Sequence, residues 1–237
     1  MVAQIRQLTI GMTRDTPFSY NCGRCSRCCY HKGITLNPYE VLRLARHQGM
    51  TTTEFTQHYT ESGGTRLRQR DDGGCIFLTA QGCGAHADRP LVCRIYPLGR
   101  HISPDDEETF SELDPHPQTD GSYGVSGVVG DYLVNQGAVP YMQAADRYLN
   151  LFREMADVLY KQADRLTPVE REMIGQQCEY PKEANAPGQA WLDIDHAVDQ
   201  YCSECGLVKP AEAQLLMELH LEALSTWSGN LKEREIS

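Results

Sequence analysis

Positive charge is scarce in this chain: 22 Lys and Arg stand against 32 Asp and Glu, a formal net charge of -10 over 237 residues. Non-specific binding to nucleic acid or to an anionic membrane surface rests on excess Lys and Arg, so neither is expected as a partner. No basic tract compensates locally. Long apolar runs are missing too, and none is long enough to span a bilayer. Met1–Asp15 lacks the charged region, apolar run and cleavage site of an export signal, which makes a reducing cytoplasm the expected compartment. There is no internal repeat, no Ser–His–Asp arrangement, and no kinase or hydrolase motif. The glycine-rich stretch Gly121–Gly127 matches no phosphate-binding or dinucleotide fingerprint in spacing or setting.

Cysteine is what the chain has in quantity. Ten cysteines without an export signal point to metal ligation rather than to disulfides. The densest stretch, Asn21–Cys29, carries Cys22, Cys25 and Cys28 at a C-x-x-C-x-x-C interval, with Cys29 directly after. Two intervening residues let a backbone fold back and present thiolates to a common point. Bacterial ferredoxins hold three corners of a [4Fe–4S] cluster with this interval, and zinc modules use its C-x-x-C half. Neighbouring side chains diverge, so Cys28 and Cys29 are expected to serve different sites or to leave one thiol spare. Gly23 and Ser26 suit a loop whose amides approach sulfur, and Arg24 and Arg27 bring positive charge that favours thiolates.

Around this loop the chain is expected to be α+β, with a cysteine-rich front half of small β content (1–124) and a helical half (125–237) packed on it as one compact unit. Residues 1–20 form a polar lead-in, and Gly33–Leu36 a short strand. Capping boxes at Asn37–Glu40 and Thr51–Glu54 open two helices, the first stopped by Gly49 and the second by Ser62–Gly64. Cys75–Leu78 has strand composition, Gln81–Gly84 is a turn carrying Cys83, and Arg89–Leu98 leads through Cys93 into an extended segment. Arg100–Ser103 and Thr109–Leu113 pair across the acidic turn Pro104–Glu108. Helical character is expected from Val125, with an amphipathic helix over Pro140–Leu166. A third capping box at Thr167–Glu170, a loop over Pro181–Gln189, and helices over Trp191–Cys205 and Pro210–Trp227 complete the chain.

Cys22–Cys29, Cys75-Ile76-Phe77-Leu78, Cys83, Arg89-Pro90, Cys93-Arg94 and Tyr96-Pro97 together resemble the CxxCxxCC cysteine-cluster family, the YkgJ-type proteins described as zinc- or iron-chelating. Flagellin lysine N-methylase carries a similar motif and is associated with an iron–sulfur cluster. The resemblance covers about residues 20–100 and implies metal binding more strongly than any reaction. It also implies an eighth ligand, where this chain offers His116, Cys178, Cys202 or Cys205.

Counted as ligands, Cys22, Cys25 and Cys28 are natural for three corners of one [4Fe–4S] cluster, with Cys93 or Cys75 closing it. Cys29 and the rest of Cys75, Cys83 and Cys93 leave three sulfurs for a second ion. A four-thiolate Zn2+ site could use the same residues; calcium and magnesium are excluded by the softness of the donors. Cys202-Ser203-Glu204-Cys205 is a second, weaker ligand pair, set against simple packing at a helix end. His31 is the nearest histidine candidate, His86 a second, and Arg89 and Arg94 are expected to compensate charge near sulfur. Gly121–Gly127 is expected to be a loop near the metal site. The reading is an iron–sulfur protein with an electron-transfer or accessory enzymatic role and a protein or redox partner. The alternatives are a structural zinc module that mediates protein interaction and, on the resemblance alone, part of a methyl-transfer enzyme.

Overall fold

The computed structural model describes residues 8–61, 64–114, 116, 118–163 and 193–233. The chain is α+β, its strands pairing into four two-stranded antiparallel sheets among the described residues. By packing it divides into two compact units, residues 1–32 with 69–142 and residues 33–68 with 143–237, at positions other than the compositional change near residue 124.

The first unit is built on β1 (Pro17–Asn21), in the segment expected to be a polar lead-in. Phe18 and Tyr20 alternate inward and are 1% and 7% exposed, so the lead-in is core. The strand looked polar because only these two inward positions are apolar, and no longer pattern announces it. Late in the unit β8 (Ser122–Val128) pairs with it, Tyr20 opposite Tyr123 and Asn21 opposite Ser122. This corrects the glycine-rich loop: the glycines allow close strand approach, and a Cβ on Gly121 would run into the Tyr20 phenol.

β6 (Leu98–Ile102) and β7 (Glu108–Glu112) form the expected hairpin, with Arg100 opposite Phe110. Arg100 Nε and Arg14 Nε each lie 2.6 Å from a Glu108 oxygen, fastening the hairpin to the chain before β1. The core gathers Phe18, Tyr20, Tyr96, Leu98, Phe110 and Leu133, and Cys28 packs against its edge. Phe18 meets Tyr132 edge-on at 5.1 Å, and Tyr20 meets Tyr123 at 5.0 Å.

In the second unit, α1 (Pro38–Gln48) and α2 (Thr52–Tyr59) start at the two capping boxes foreseen. The Glu40 amide donates to Asn37 Oδ1 at 3.0 Å and the Asn37 amide to Glu40 at 2.9 Å, while Gly49 ends α1 in the left-handed region. α2 ends at Tyr59, earlier than expected, because Thr60–Glu61 (β2) turns extended to pair with Arg66–Leu67 (β3). Gly33–Leu36 is not a strand; only Thr35 bridges to Arg66.

The segments between are more helical or more turned than composition suggested. Cys75–Phe77 is a turn, and the strand residues are Leu78–Thr79 (β4), paired with Gly82–Cys83 (β5). Arg89–Leu98 contains a short helix, α3 (Leu91–Arg94), since Pro90 starts a helical turn as readily as it borders a strand. Val125 lies in β8, and helix begins at α4 (Val129–Asn135).

α5 (Val139–Ala163) begins in the first unit and continues in the second, where α6 (Ile194–Cys205) and α7 (Ala213–Glu233) follow among the described residues. Asp193 accepts from the hydroxyls of Thr52 and Thr53, and Asp195 from the Thr52 amide at 2.9 Å. The starts of α2 and α6 are thereby capped by each other's residues. The expected capping box at Thr167 and the loop at Pro181–Gln189 lie outside the described residues. No described helix is long and apolar enough to cross a membrane.

If β1 is core, Phe18→Ala should cost about 3–5 kcal/mol of unfolding free energy, whereas Val125→Ala on the exposed face of β8 should stay within ~0.5 kcal/mol. Urea unfolding of both variants decides it, and equal midpoints would remove β1 from the core.

Candidate metal centre

β1 ends at Asn21 and the chain enters the first cysteine loop, where Arg24 (φ 53°) and Ser26 (φ 59°) are both left-handed. Two such residues two positions apart reverse the backbone sharply without glycine at either site, a costly conformation that the surroundings must hold. Gly23 has its own reason to be glycine: a Cβ there would sit 2.7 Å from Asp120. The close approach is thus to the 119–120 segment. The Arg24 amide points at Cys22 Sγ at 3.4 Å. Burial raises the pKa of the Cys25 thiol, but the amides of Asp120 and Arg27 and the Thr119 hydroxyl outweigh it and leave the thiol acidified.

Arg27–Cys29 closes as a single 3-10 turn, with the Cys29 amide donating to the Ser26 carbonyl at 3.0 Å. The Cys29 thiol donates to the Cys28 sulfur, and that bond, against the opposing effect of burial and with help from the Lys32 ammonium, lowers the Cys28 pKa to about 6. The same bond, burial, and the charges at Cys28, Cys83 and Cys93 push the Cys29 thiol far up.

The second cysteine segment is hydrogen-bonded to the first. Cys75 N–H donates to the Cys29 carbonyl at 2.8 Å, Tyr30 bridges to Gly74, and His31 N–H donates to the Gly73 carbonyl at 2.8 Å. Asp72 prepares this turn, accepting from the Gly74 amide at 2.9 Å and pairing with Arg70 at 2.9 Å. The β4–β5 hairpin then sets Cys83 opposite Leu78, and Cys93 follows on α3. Burial raises the thiol pKa of both Cys75 and Cys83.

Cys28 is in electrostatic reach of groups on both cysteine segments. With Cys22 and Cys25 it acts on the Tyr20 phenol. It acts also on Cys75 and Cys83, and with Cys29 and Cys93 on Lys32. Lys32 is half-buried with its ammonium 3.8 Å from the centre of the Tyr96 ring. It supplies the positive charge expected from Arg24 and Arg27. Its place three residues past Cys29 was a visible signal that sequence reasoning passed over; the approach of Thr119 and Asp120, nearly a hundred residues away, had none.

Cys22 and Cys93 are exposed, and Cys25, Cys28, Cys29, Cys75 and Cys83 are intermediate. Among the described residues, no three His, Cys, Asp or Glu side chains form a closed metal-ligating group. The gathered donors are nevertheless soft sulfurs with an acidified member and a cation beside them, which fits zinc or iron.

The remaining candidates are placed elsewhere or otherwise engaged. His31 is exposed with a left-handed backbone (φ 55°). His116 reaches the Tyr96 hydroxyl through its amide at 3.4 Å, and its Nδ1 accepts from the Gln118 amide at 3.1 Å. Arg89 does feel the sulfur charges of Cys93 and Cys83, and donates to Gln136 at 2.9 Å. Arg94 turns instead to the carbonyls of Ala87 and Gln136 and stacks on Tyr141, fixing α3 in place. In the second unit Cys202 is 5% exposed among Leu42, Ile194, Val198 and Leu216, and Cys205 is exposed at the end of α6. Cys178 lies outside the described residues.

Residues 21–116 match the family model CxxCxxCC, a "putative zinc- or iron-chelating domain". No curated protein and no solved structure matches the chain. The matched span begins at the residue before Cys22, ends at His116 and includes all seven front cysteines. The matched description is of metal chelation, and metal binding is the coarse property that the match supports for this chain.

Proposed function

We infer that the seven front cysteines hold an iron–sulfur cluster and that the protein uses it in electron transfer or as the redox part of a larger reaction with a protein partner. The observation that carries this reading is the joining of the two cysteine segments, Cys75 N–H to the Cys29 carbonyl at 2.8 Å, which brings Cys75 and Cys83 within electrostatic reach of Cys28. Cys22, Cys25 and Cys28 have the interval with which bacterial ferredoxins hold three corners of a [4Fe–4S] cluster. Amide donors to Cys22 and Cys25 and the ammonium of Lys32 are the kinds of group that stabilise thiolates around a cluster and set its potential. Cys22 and Cys93 reach the surface, which suits exchange of electrons with a partner.

When bound, the cluster would supply one-electron chemistry; the residues supply ligation, charge compensation and exposure. Cys22, Cys25 and Cys28 are proposed for three corners, with Cys75 or Cys93 for the fourth. Cys29 and Cys83 complete the thiol neighbourhood. A structural zinc site and a methyl-transfer role gain no specific observation from the geometry.

Protein purified without oxygen should contain iron and acid-labile sulfide and absorb broadly in the visible. Zinc alone, in a colourless protein, would overturn the cluster in favour of a structural metal. Cys28→Ser should lose most of the bound metal together with soluble yield, because metal binding and the packing of these short loops share one free energy. Cys202→Ala with Cys205→Ala should keep the full metal-to-protein ratio, given that Cys202 is packed in an apolar core. A stoichiometric loss in that double variant would bring the C-terminal pair into the site.

The sulfur pair gives a pH signature in chelator-treated protein. A thiol lowered to about 6 is mostly thiolate above that pH, so iodoacetamide should label Cys28 at a rate rising through about pH 6. Cys29, shifted the other way, should remain slow well above neutrality. Peptide mapping of the labelled protein checks both, and labelling of Cys28 only near the ordinary thiol value of about 8.5 would contradict the pairing.

A further inference from the structure

A cavity of about 560 Å³ opens beside the cysteine loop, within the range of small-molecule sites. One wall is the loop itself, Arg24 to Arg27 with Tyr30; the other is the β4–β5 hairpin, Leu78 to Gly82; Arg70 completes it. No Asp or Glu lines it, in a chain with a net charge of -10.

The three arginines are not equivalent. Arg70 is already engaged, pairing with Asp72 and donating to the Leu78 carbonyl at 2.9 Å, so it braces the wall. Arg24 and Arg27 make no ion pair or side-chain hydrogen bond among the described residues. Burial chiefly disfavours the charged form of the nearby His86, and Arg89, Arg24 and Arg94 add to it in the same direction. Arg24 and Arg27 both line the cavity from the cysteine loop. The side chains of Ser26 and Gln81 supply further polar groups in the same walls. Guanidinium forks match the oxygens of carboxylates and phosphates, and a one-signed cleft concentrates the opposite ion.

We propose that this cavity binds a small molecule through an oxyanion group, a phosphate or a carboxylate, held by Arg24 and Arg27. The site adjoins the proposed metal centre, since Cys25 lies in its wall, but it does not depend on which metal is bound.

The test is isothermal titration of the full-length protein as purified, at low ionic strength, with inorganic phosphate and separately with succinate. At least one should bind saturably at one site per chain, and the one that binds identifies the anion. Arg24→Gln and Arg27→Gln should each weaken binding about tenfold, since a charge-assisted hydrogen bond is removed in each. Arg153→Gln, exposed on α5, should leave it unchanged. Metal content, measured on each variant, should stay at the wild-type level, so that failure of the anion site and failure of the metal centre show separately. Absence of saturable binding of either probe up to roughly 10 mM, or unchanged binding in the double arginine variant, would overturn the proposal. So would loss of metal in the arginine variants, which would make the arginines supports of the cysteine loop.

Discussion

The backbone pairing of residues 29–31 with residues 73–75 is the constraint on which the front of this molecule depends. Cys75 N–H to the Cys29 carbonyl and His31 N–H to the Gly73 carbonyl, each 2.8 Å, join two segments that would otherwise be separate loops. Without them Cys75 and Cys83 would have no fixed relation to Cys28. The pairing in turn relies on the Asp72 turn, on the extended backbone at Tyr30, and on the Cys28 contact with the apolar core beneath. Metal chemistry here therefore rests on ordinary hydrogen bonds between short, irregular segments, anchored at one edge of a conventional core.

Charge is distributed to suit that chemistry. The whole chain is acidic, yet the residues that meet sulfur include Lys32 and Arg89, and the neighbouring cavity carries Arg24, Arg27 and Arg70. Clustered thiolates repel one another, and half-burial raises the cost of charging them. Lys32 is itself partly desolvated and is kept near the sulfurs by the Tyr96 ring. A buried cation and clustered anions are each unfavourable alone and offset one another together. The vicinal thiols add a second device: Cys29 keeps its proton and donates it in a hydrogen bond, which lets Cys28 ionise.

The second unit is held by a different logic. Its helices start at reciprocal caps, and Asp193 and Asp195 extend capping from one helix to another across a buried contact with Thr52. The Tyr148 hydroxyl meets His220 Nδ1 at 2.8 Å with both residues buried, so polar groups inside this unit are paired. Cys202 belongs to that apolar interior.

Several features were legible in the sequence because they depend on residues a few positions apart. The capping boxes at Asn37 and Thr51, the stop at Gly49 and the hairpin around the acidic turn are of this kind. So is the donor chemistry: seven cysteines are soft donors of the kind zinc and iron take, and all seven fall in the span that matches a metal-chelating family. Tertiary structure decided what spacing could not. It made Phe18 and Tyr20 core by pairing β1 with β8 a hundred residues on, and brought Thr119 and Asp120 against the first cysteine loop. It also chose Lys32 over Arg24 and Arg27 as the cation at sulfur, which left those two arginines facing a cavity. A cap or donor set is satisfied within its own segment and is written there. A partner brought from a distant segment is selected by packing, and one chain read in order contains no term for it.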